Sequence, residues 1–84
     1  MDSGQITKRL RITREQLYRV ELLGGVRPAI TRRGKRQFRS YTEADLRKLE
    51  IIFAFVEDGY RYDAAVRKAE ERLAQPELAL AGKS

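Results

Sequence analysis

The chain has 84 residues, with 18 Lys or Arg against 12 Asp or Glu and a formal net charge of +6. It contains no Cys and no His, which excludes disulfides and thiolate metal sites and removes the commonest general base. No apolar run reaches the roughly 18 residues of a membrane-spanning helix, and residues 1–10, MDSGQITKRL, lack the apolar segment of a signal peptide. These limits predict one small cytoplasmic domain that is not an enzyme and needs no cofactor.

The charge is divided unevenly along the chain. Residues 1–41 hold eleven basic and three acidic side chains, a net charge of +8, whereas residues 42–84 hold seven basic and nine acidic ones, a net charge of −2. Solubility alone does not require this asymmetry. A basic half joined to a nearly neutral half is expected of a protein that binds nucleic acid through one face.

The first predicted helix covers residues 3–10. Ser3 is its candidate N-cap, and Ile6 and Leu10 lie four residues apart on one helical face. Residues 11–12 are predicted to form the turn that follows.

The second predicted helix covers residues 14–23. Thr13, with Gln16 three residues later, has the spacing of a capping box. The pair Gly24-Gly25 ends the helix, because glycine is favoured just after a helix C-terminus. Its predicted core stripe is Leu17, Val20 and Leu23. Two short helices joined by a short turn predict a helix-turn-helix, whose second helix enters the DNA major groove; the alternative is a helix pair packed for structure alone.

A basic hairpin is predicted next, in the segment 30–41, ITRRGKRQFRSY. Gly34 lies near its middle and Phe38 and Tyr41 near its end, which is typical of two strands and a tip. The segment has no acidic residue, and its basic residues are Arg32, Arg33, Lys35, Arg36 and Arg39. We interpret it as a wing that lies along a phosphate backbone; the alternative is a solvated basic loop.

Two more helices complete the predicted fold. Thr42 caps the first, which covers residues 42–57, and its predicted core stripe is Leu46, Leu49, Phe53 and Val56 with Ile52 at the border. Ile51 and Phe55 lie to one side of that stripe, which gives this helix a broader apolar face than one small domain needs and is the basis of an alternative role in binding a protein partner. The last helix covers residues 62–74, Pro76 closes it, and residues 76–84 read as a flexible tail after a domain of residues 1–75.

This order of elements resembles the winged-helix DNA-binding domain of the MerR family of bacterial transcription regulators. The similarity runs without a gap over residues 4–28, at Gly4, Ile6, Leu10, Ile12, Thr13, Leu17, Glu21, Gly24, Val26 and Pro28. It continues at the wing exit with Phe38-Arg39-Ser40-Tyr41-Thr42, then Asp45-Leu46 and Leu49, and finally Gly59-Tyr60. The resemblance implies a mostly α winged helix-turn-helix that binds double-stranded DNA.

The sequence departs from the family pattern at several positions. Where the family has arginine and two aromatics, this chain has Tyr18, Arg19 and Val20, and Arg11 stands where a turn glycine is common. Full-length members continue into a coiled-coil dimerisation helix and an effector domain. Neither follows the last helix here, so no small-molecule or metal effector is expected.

The predicted function is that of a small bacterial transcription regulator with sequence preference, associated with the nucleoid. The 14–23 helix would read the major groove and the 31–41 wing would clamp phosphates, through Arg14, Glu15, Tyr18, Arg19, Arg32, Arg33, Lys35, Arg36, Arg39 and Tyr41. For Phe38 and Tyr41 the preferred interpretation is that they anchor the wing to the helices. Further copies of the chain are predicted to bind side by side on DNA. The alternatives are a protein-interaction adaptor on a winged-helix scaffold and an excisionase-like architectural factor.

Overall fold

Six elements follow one another along residues 1–74, the part of the chain that the computed structural model describes. Their order is α1 (Ser3–Leu10), α2 (Arg14–Leu22), β1 (Ala29–Arg33), β2 (Arg36–Ser40), α3 (Glu43–Glu57) and α4 (Tyr62–Ala74). The predicted winged helix-turn-helix, mostly α with one hairpin, is therefore confirmed. The predicted tail, residues 76–84, lies outside the described residues, and the domain boundary at residue 75 stays a prediction.

Capping boxes start α1, α2 and α3. In α1 the Asp2 carboxylate accepts from the Gln5 backbone N–H at 2.8 Å, and the Gln5 side chain accepts from the Asp2 N–H at 2.8 Å. Asp2 is therefore the N-cap, and the prediction of Ser3 was wrong, because Ser3 is already helical and buried. The same reciprocal bonds join Thr13 to Gln16 and Thr42 to Asp45.

The turn between α1 and α2 uses a left-handed residue. Arg11 has φ +57° and ψ +46°, and it is the only non-glycine residue with positive φ among residues 1–74. Its N–H, like that of Ile12, donates to the Thr7 carbonyl, so the end of α1 is capped. The arginine takes the backbone shape for which glycine is usual, at a conformational cost of about 1–2 kcal/mol.

The core lies where the four described helices meet. Its buried helical side chains are Ile6, Leu17, Val20, Leu46, Leu49, Ile52, Phe53, Ala65, Val66 and Ala69. Val26 and Tyr41, on either side of the hairpin, complete it. Gly25 is required beside this core, because a Cβ there would lie 2.5 Å from Cγ1 of Val20.

Several predicted core assignments change. Leu23 is 44% exposed, because α2 ends at Leu22 and Leu23 takes the C-cap position. In α3, Ile52 is fully buried rather than at the border, whereas Val56 is only partly buried. The buried face of α3 is thus rotated toward Ile52.

Ile51 and Phe55 are partly buried against the edge of the core. The Phe55 ring packs edge-on against Tyr60, with centroids 5.1 Å apart. The broad apolar face read from the sequence is therefore largely used within the fold. Within residues 1–74 no helix has both the length and the apolar character needed to cross a membrane.

The wing is a two-stranded antiparallel hairpin whose register pairs Thr31 with Phe38 and Arg33 with Arg36. Gly34 and Lys35 form its two-residue turn. Gly34 has φ +62° and Lys35 does not have positive φ, which is the pattern of a type II′ turn. All five β1 residues are exposed, so the strands add nothing to the core.

Candidate nucleic-acid interface

The base of the wing is joined to α2 by one carboxylate. Arg39 Nε donates to Glu21 Oε1 at 2.9 Å, and the Tyr41 hydroxyl donates to Glu21 Oε2 at 2.5 Å. Both oxygens of Glu21 are thus used, and they fix β2 and the residue after it relative to α2. Sequence reasoning missed this role, although Glu21 is the only acidic residue between residues 16 and 42.

Arg39, a predicted phosphate contact, is held by contacts within the fold. Besides its bond to Glu21, its guanidinium lies 4.5 Å from the centroid of the Tyr18 ring. The hydrogen bond to Glu21 raises the pKa of Arg39. Arg39 and Tyr18, both predicted DNA contacts, are therefore brought together as a stacked pair at the wing base, with Tyr18 partly buried.

Tyr41 is 2% exposed. Its backbone N–H donates to the Met1 carbonyl at 2.7 Å, and its hydroxyl lies 3.5 Å from Ser3 Oγ. Burial first, and then the hydrogen bond to Glu21, raise the pKa of the Tyr41 phenol well above its ordinary value. The structure therefore favours the anchoring interpretation for Tyr41 over phosphate contact. Phe38, the other predicted anchor, is 46% exposed and is not among the side chains that pack against the core.

The tip of the wing is different, because its basic side chains are free. These side chains are Arg32, Arg33, Lys35 and Arg36. Among residues 1–74 no salt bridge involves any of them, and all four are exposed. By the strand register, Arg33 and Arg36 lie on one face of the hairpin and Arg32 lies on the other. We call the set Arg32, Arg33, Lys35 and Arg36 the wing tip.

A polar groove of about 630 Å³ lies between the wing and the first two helices. Arg14 and Tyr18 of α2 line one side and residues 36–39 of β2 line the other, with residues 2–4 at one end. The predicted contacts Arg14 and Arg36 thus face the same space. Glu15 is exposed on α2 next to Arg14.

On its other side, α2 borders a second groove of about 540 Å³. Arg19 lies there, with its guanidinium 5.2 Å from the centroid of the Tyr62 ring. Arg19 therefore lines a different groove from Arg14. The groove is also lined by Leu22, Leu23, Arg61 and Asp63. Sequence reasoning did not single out Arg61 or Leu22, since neither follows a motif and their position depends on how α4 packs beside α2.

Comparison with known families gives one match. The model of the MerR HTH family regulatory protein matches residues 1–71, which is nearly the whole described domain. No curated protein and no solved structure matches the chain. The match covers both the helix-turn-helix and the wing, so this chain belongs to the MerR family of DNA-binding, helix-turn-helix transcription regulators.

Proposed function

We propose that the chain is a small bacterial transcription regulator that binds double-stranded DNA with sequence preference. One observation carries the proposal. The wing tip has four basic side chains without a salt bridge in residues 1–74, and the neighbouring helix α2 exposes Arg14 and Glu15. Within residues 1–74 no acidic partner neutralises these cations, whereas a phosphate backbone would do so. Such a regulator would act in the cytoplasm, associated with the nucleoid.

In the proposed complex the wing tip holds phosphates and α2 reads bases. Each phosphate neutralised by a Lys or Arg releases condensed counterions, so the wing supplies affinity without sequence information. Arg14 and Glu15 lie at the start of α2, where recognition helices meet base edges; arginine suits guanine and glutamate suits cytosine.

Arg19 and Arg61 extend the proposed interface on the far side of α2. Together with the wing tip they place cations on both flanks of the helix. A helix seated in the major groove has a phosphate strand on each side, so this arrangement supports docking through α2. Arg39 and Tyr41 contribute indirectly, by holding the wing at its angle to α2.

Fluorescence anisotropy with labelled random duplex at several salt concentrations tests this proposal. Log affinity is expected to fall linearly with log salt, with a slope of about −0.9 for each phosphate contact. Selection from a randomised duplex library is then expected to enrich a preferred site. Absence of salt-dependent binding to any duplex would overturn the proposal.

Assembly of several copies on DNA is the finer part of the proposal. A single module of this size buries only about 600–1,000 Å² on DNA, which gives modest specificity. A basic front and mildly acidic back favour head-to-tail contacts between neighbours. Exposed Glu57 and Asp58 are the best candidates for that back face, since Glu70 bonds Lys48 at 3.2 Å and Glu71 lies 3.9 Å from Lys68. Titration onto direct-repeat duplexes of increasing length should show that several copies bind cooperatively to each duplex. Independent binding of single copies would exclude assembly on DNA.

The adaptor alternative gains no support from the fold. It depended on the apolar face of α3, and Ile51 and Phe55 are already partly buried there. An excisionase-like architectural role would be distinguished from regulation by bending of the bound duplex, measured by circular-permutation gel shift.

A further inference from the structure

The last residue of α2 carries an apolar side chain that the fold does not use. Leu22 is 88% exposed, the largest exposed fraction among the large hydrophobic side chains of residues 1–74. It is absent from the core and from the partly buried side chains packed against the core. A lone exposed leucine is ordinary on a protein surface, so its position on α2 decides what it means.

Leu22 lies on the outward face of α2. Arg14, Tyr18 and Leu22 are spaced four residues apart and form one row along the helix. The buried residues of α2, Leu17 and Val20, lie on the side of the helix opposite Leu22. A long helical side chain leans back toward the N-terminus, so Leu22 covers the surface between itself and Arg14 rather than the end of the helix. It is the apolar member of an otherwise polar row.

We propose that Leu22 is a specificity-determining residue that contacts thymine C5-methyl groups in the major groove. The inference rests on the proposed function, because it requires α2 to dock there. The thymine methyl is the apolar feature that distinguishes base pairs in the major groove. A side chain without hydrogen-bonding atoms can discriminate bases there only through such a group, and burial against it removes apolar surface of both partners from water.

The row also predicts the layout of the preferred site. Arg14 and Leu22 are eight residues apart, which is roughly 12 Å along the helix axis at about 1.5 Å per residue. Base pairs rise by about 3.4 Å each. Because a helix in the major groove is inclined to the DNA axis, a guanine read by Arg14 and a thymine contacted by Leu22 should be separated by at most about three to four base pairs.

Methyl deletion from the DNA tests the contact directly. The preferred duplex is first selected from a random library with the wild-type protein. Each thymine in it is then replaced singly by deoxyuridine, which removes only the methyl group, and affinities are measured for wild type and Leu22→Ala. At one or two neighbouring thymines the replacement is expected to weaken wild-type binding about fourfold, the effect of one buried methyl group, and to leave Leu22→Ala binding unchanged.

Controls separate this contact from general effects. Leu73→Ala, at a leucine 38% exposed on α4, should keep the full deoxyuridine effect, and thermal melting should show that Leu22→Ala is folded. A deoxyuridine effect of equal size in wild type and Leu22→Ala, or none in either, would overturn the inference while leaving DNA binding intact; Leu22 would then be assigned to a protein contact. Failure of the wild type to bind or to select any duplex would overturn the inference together with the proposed function.

Discussion

The helix pair α3–α4 and the wing differ in how much they contribute to the hydrophobic core. The pair contributes seven buried side chains to the core, Leu46, Leu49, Ile52, Phe53, Ala65, Val66 and Ala69. The wing strands contribute none: nine of their ten residues are exposed and only Arg39 is partly covered. The comparison teaches that stability and binding can be altered separately here. Within the described part of the chain the two properties meet at the wing base, where Glu21 holds Arg39 and Tyr41.

The largest effect is expected from truncating a buried side chain between α3 and α4, which should lower the free energy of unfolding. Phe53 is 8% exposed and packs edge-on against Tyr62, with centroids 6.1 Å apart. Phe53→Ala should destabilise the domain by about 3–5 kcal/mol, a large part of the total for so small a domain. Phe55→Ala, which removes the edge contact with Tyr60, should cost only about 1 kcal/mol. Thermal or urea unfolding measures both, and the reverse order would show that α3 is rotated from the described position.

Replacing three of the four wing-tip cations should lower the affinity for DNA and leave the free energy of unfolding unchanged. In Arg33→Ala/Lys35→Ala/Arg36→Ala the affinity for all duplexes should fall together, and the salt slope should flatten by about 0.9 for each phosphate that the variant no longer neutralises. The matched control Arg67→Ala/Lys68→Ala/Arg72→Ala removes the same charge from exposed positions on α4. An equal change of slope in both triple variants would mean that net charge, not the wing, governs binding.

Arg14 should behave differently from the wing tip. If it pairs with a guanine, Arg14→Ala loses about 1–3 kcal/mol of discrimination between the preferred site and random DNA. Binding to random DNA should weaken much less. Competition assays with the two duplexes measure the ratio, and an equal loss on both would assign Arg14 to the phosphate backbone.

Glu21→Gln should lower both the stability of the fold and the affinity for DNA. It weakens the bonds from Arg39 and Tyr41 to a carboxylate only 13% exposed, at a cost of about 1–2 kcal/mol. Removing a negative charge should by itself strengthen DNA binding, yet Glu21→Gln should weaken it, because the wing loses its fixed angle. Glu50→Gln makes the same charge change at an exposed position on α3 that neither holds the wing nor belongs to the proposed interface. If both variants bind DNA more tightly than wild type by the same factor, and that factor shrinks equally with added salt, the bonds to Glu21 do not position the wing.

The smallest effect is a pH dependence at the wing base. The pKa of Tyr41 is raised in the folded state, so the unfolded state loses its phenolic proton first. The stability contributed by Tyr41 is therefore fully present below about pH 10, the unfolded value, and declines at higher pH. The gap in unfolding free energy between wild type and Tyr41→Phe should therefore narrow as the pH rises above about 10. Tyr60→Phe, at an exposed tyrosine outside the wing base, is the control for the loss of a phenolic hydroxyl.

Local signals in the sequence determined the elements and their order. Thr13 and Thr42 cap helices through short-range bonds to residues three positions later, and Gly34 sets the hairpin turn, so neighbours along the chain suffice to predict them. The uneven charge and the positions shared with the MerR family likewise depend only on the order of residues. The wing tip belongs here too, because exposed cations at a turn need no tertiary partner.

Only the tertiary structure decided which candidate residues are free to bind. Arg39 and Arg36 look alike in the sequence, yet Glu21 holds Arg39, whereas Arg36 makes no salt bridge within residues 1–74. Arg19 is turned toward Tyr62, and Leu22 is left uncovered. These outcomes depend on contacts between residues 18 to 43 positions apart, set by how α2 packs against the wing base and α4. No periodicity or cap encodes such distances, since they arise only when the separate elements close around a common core.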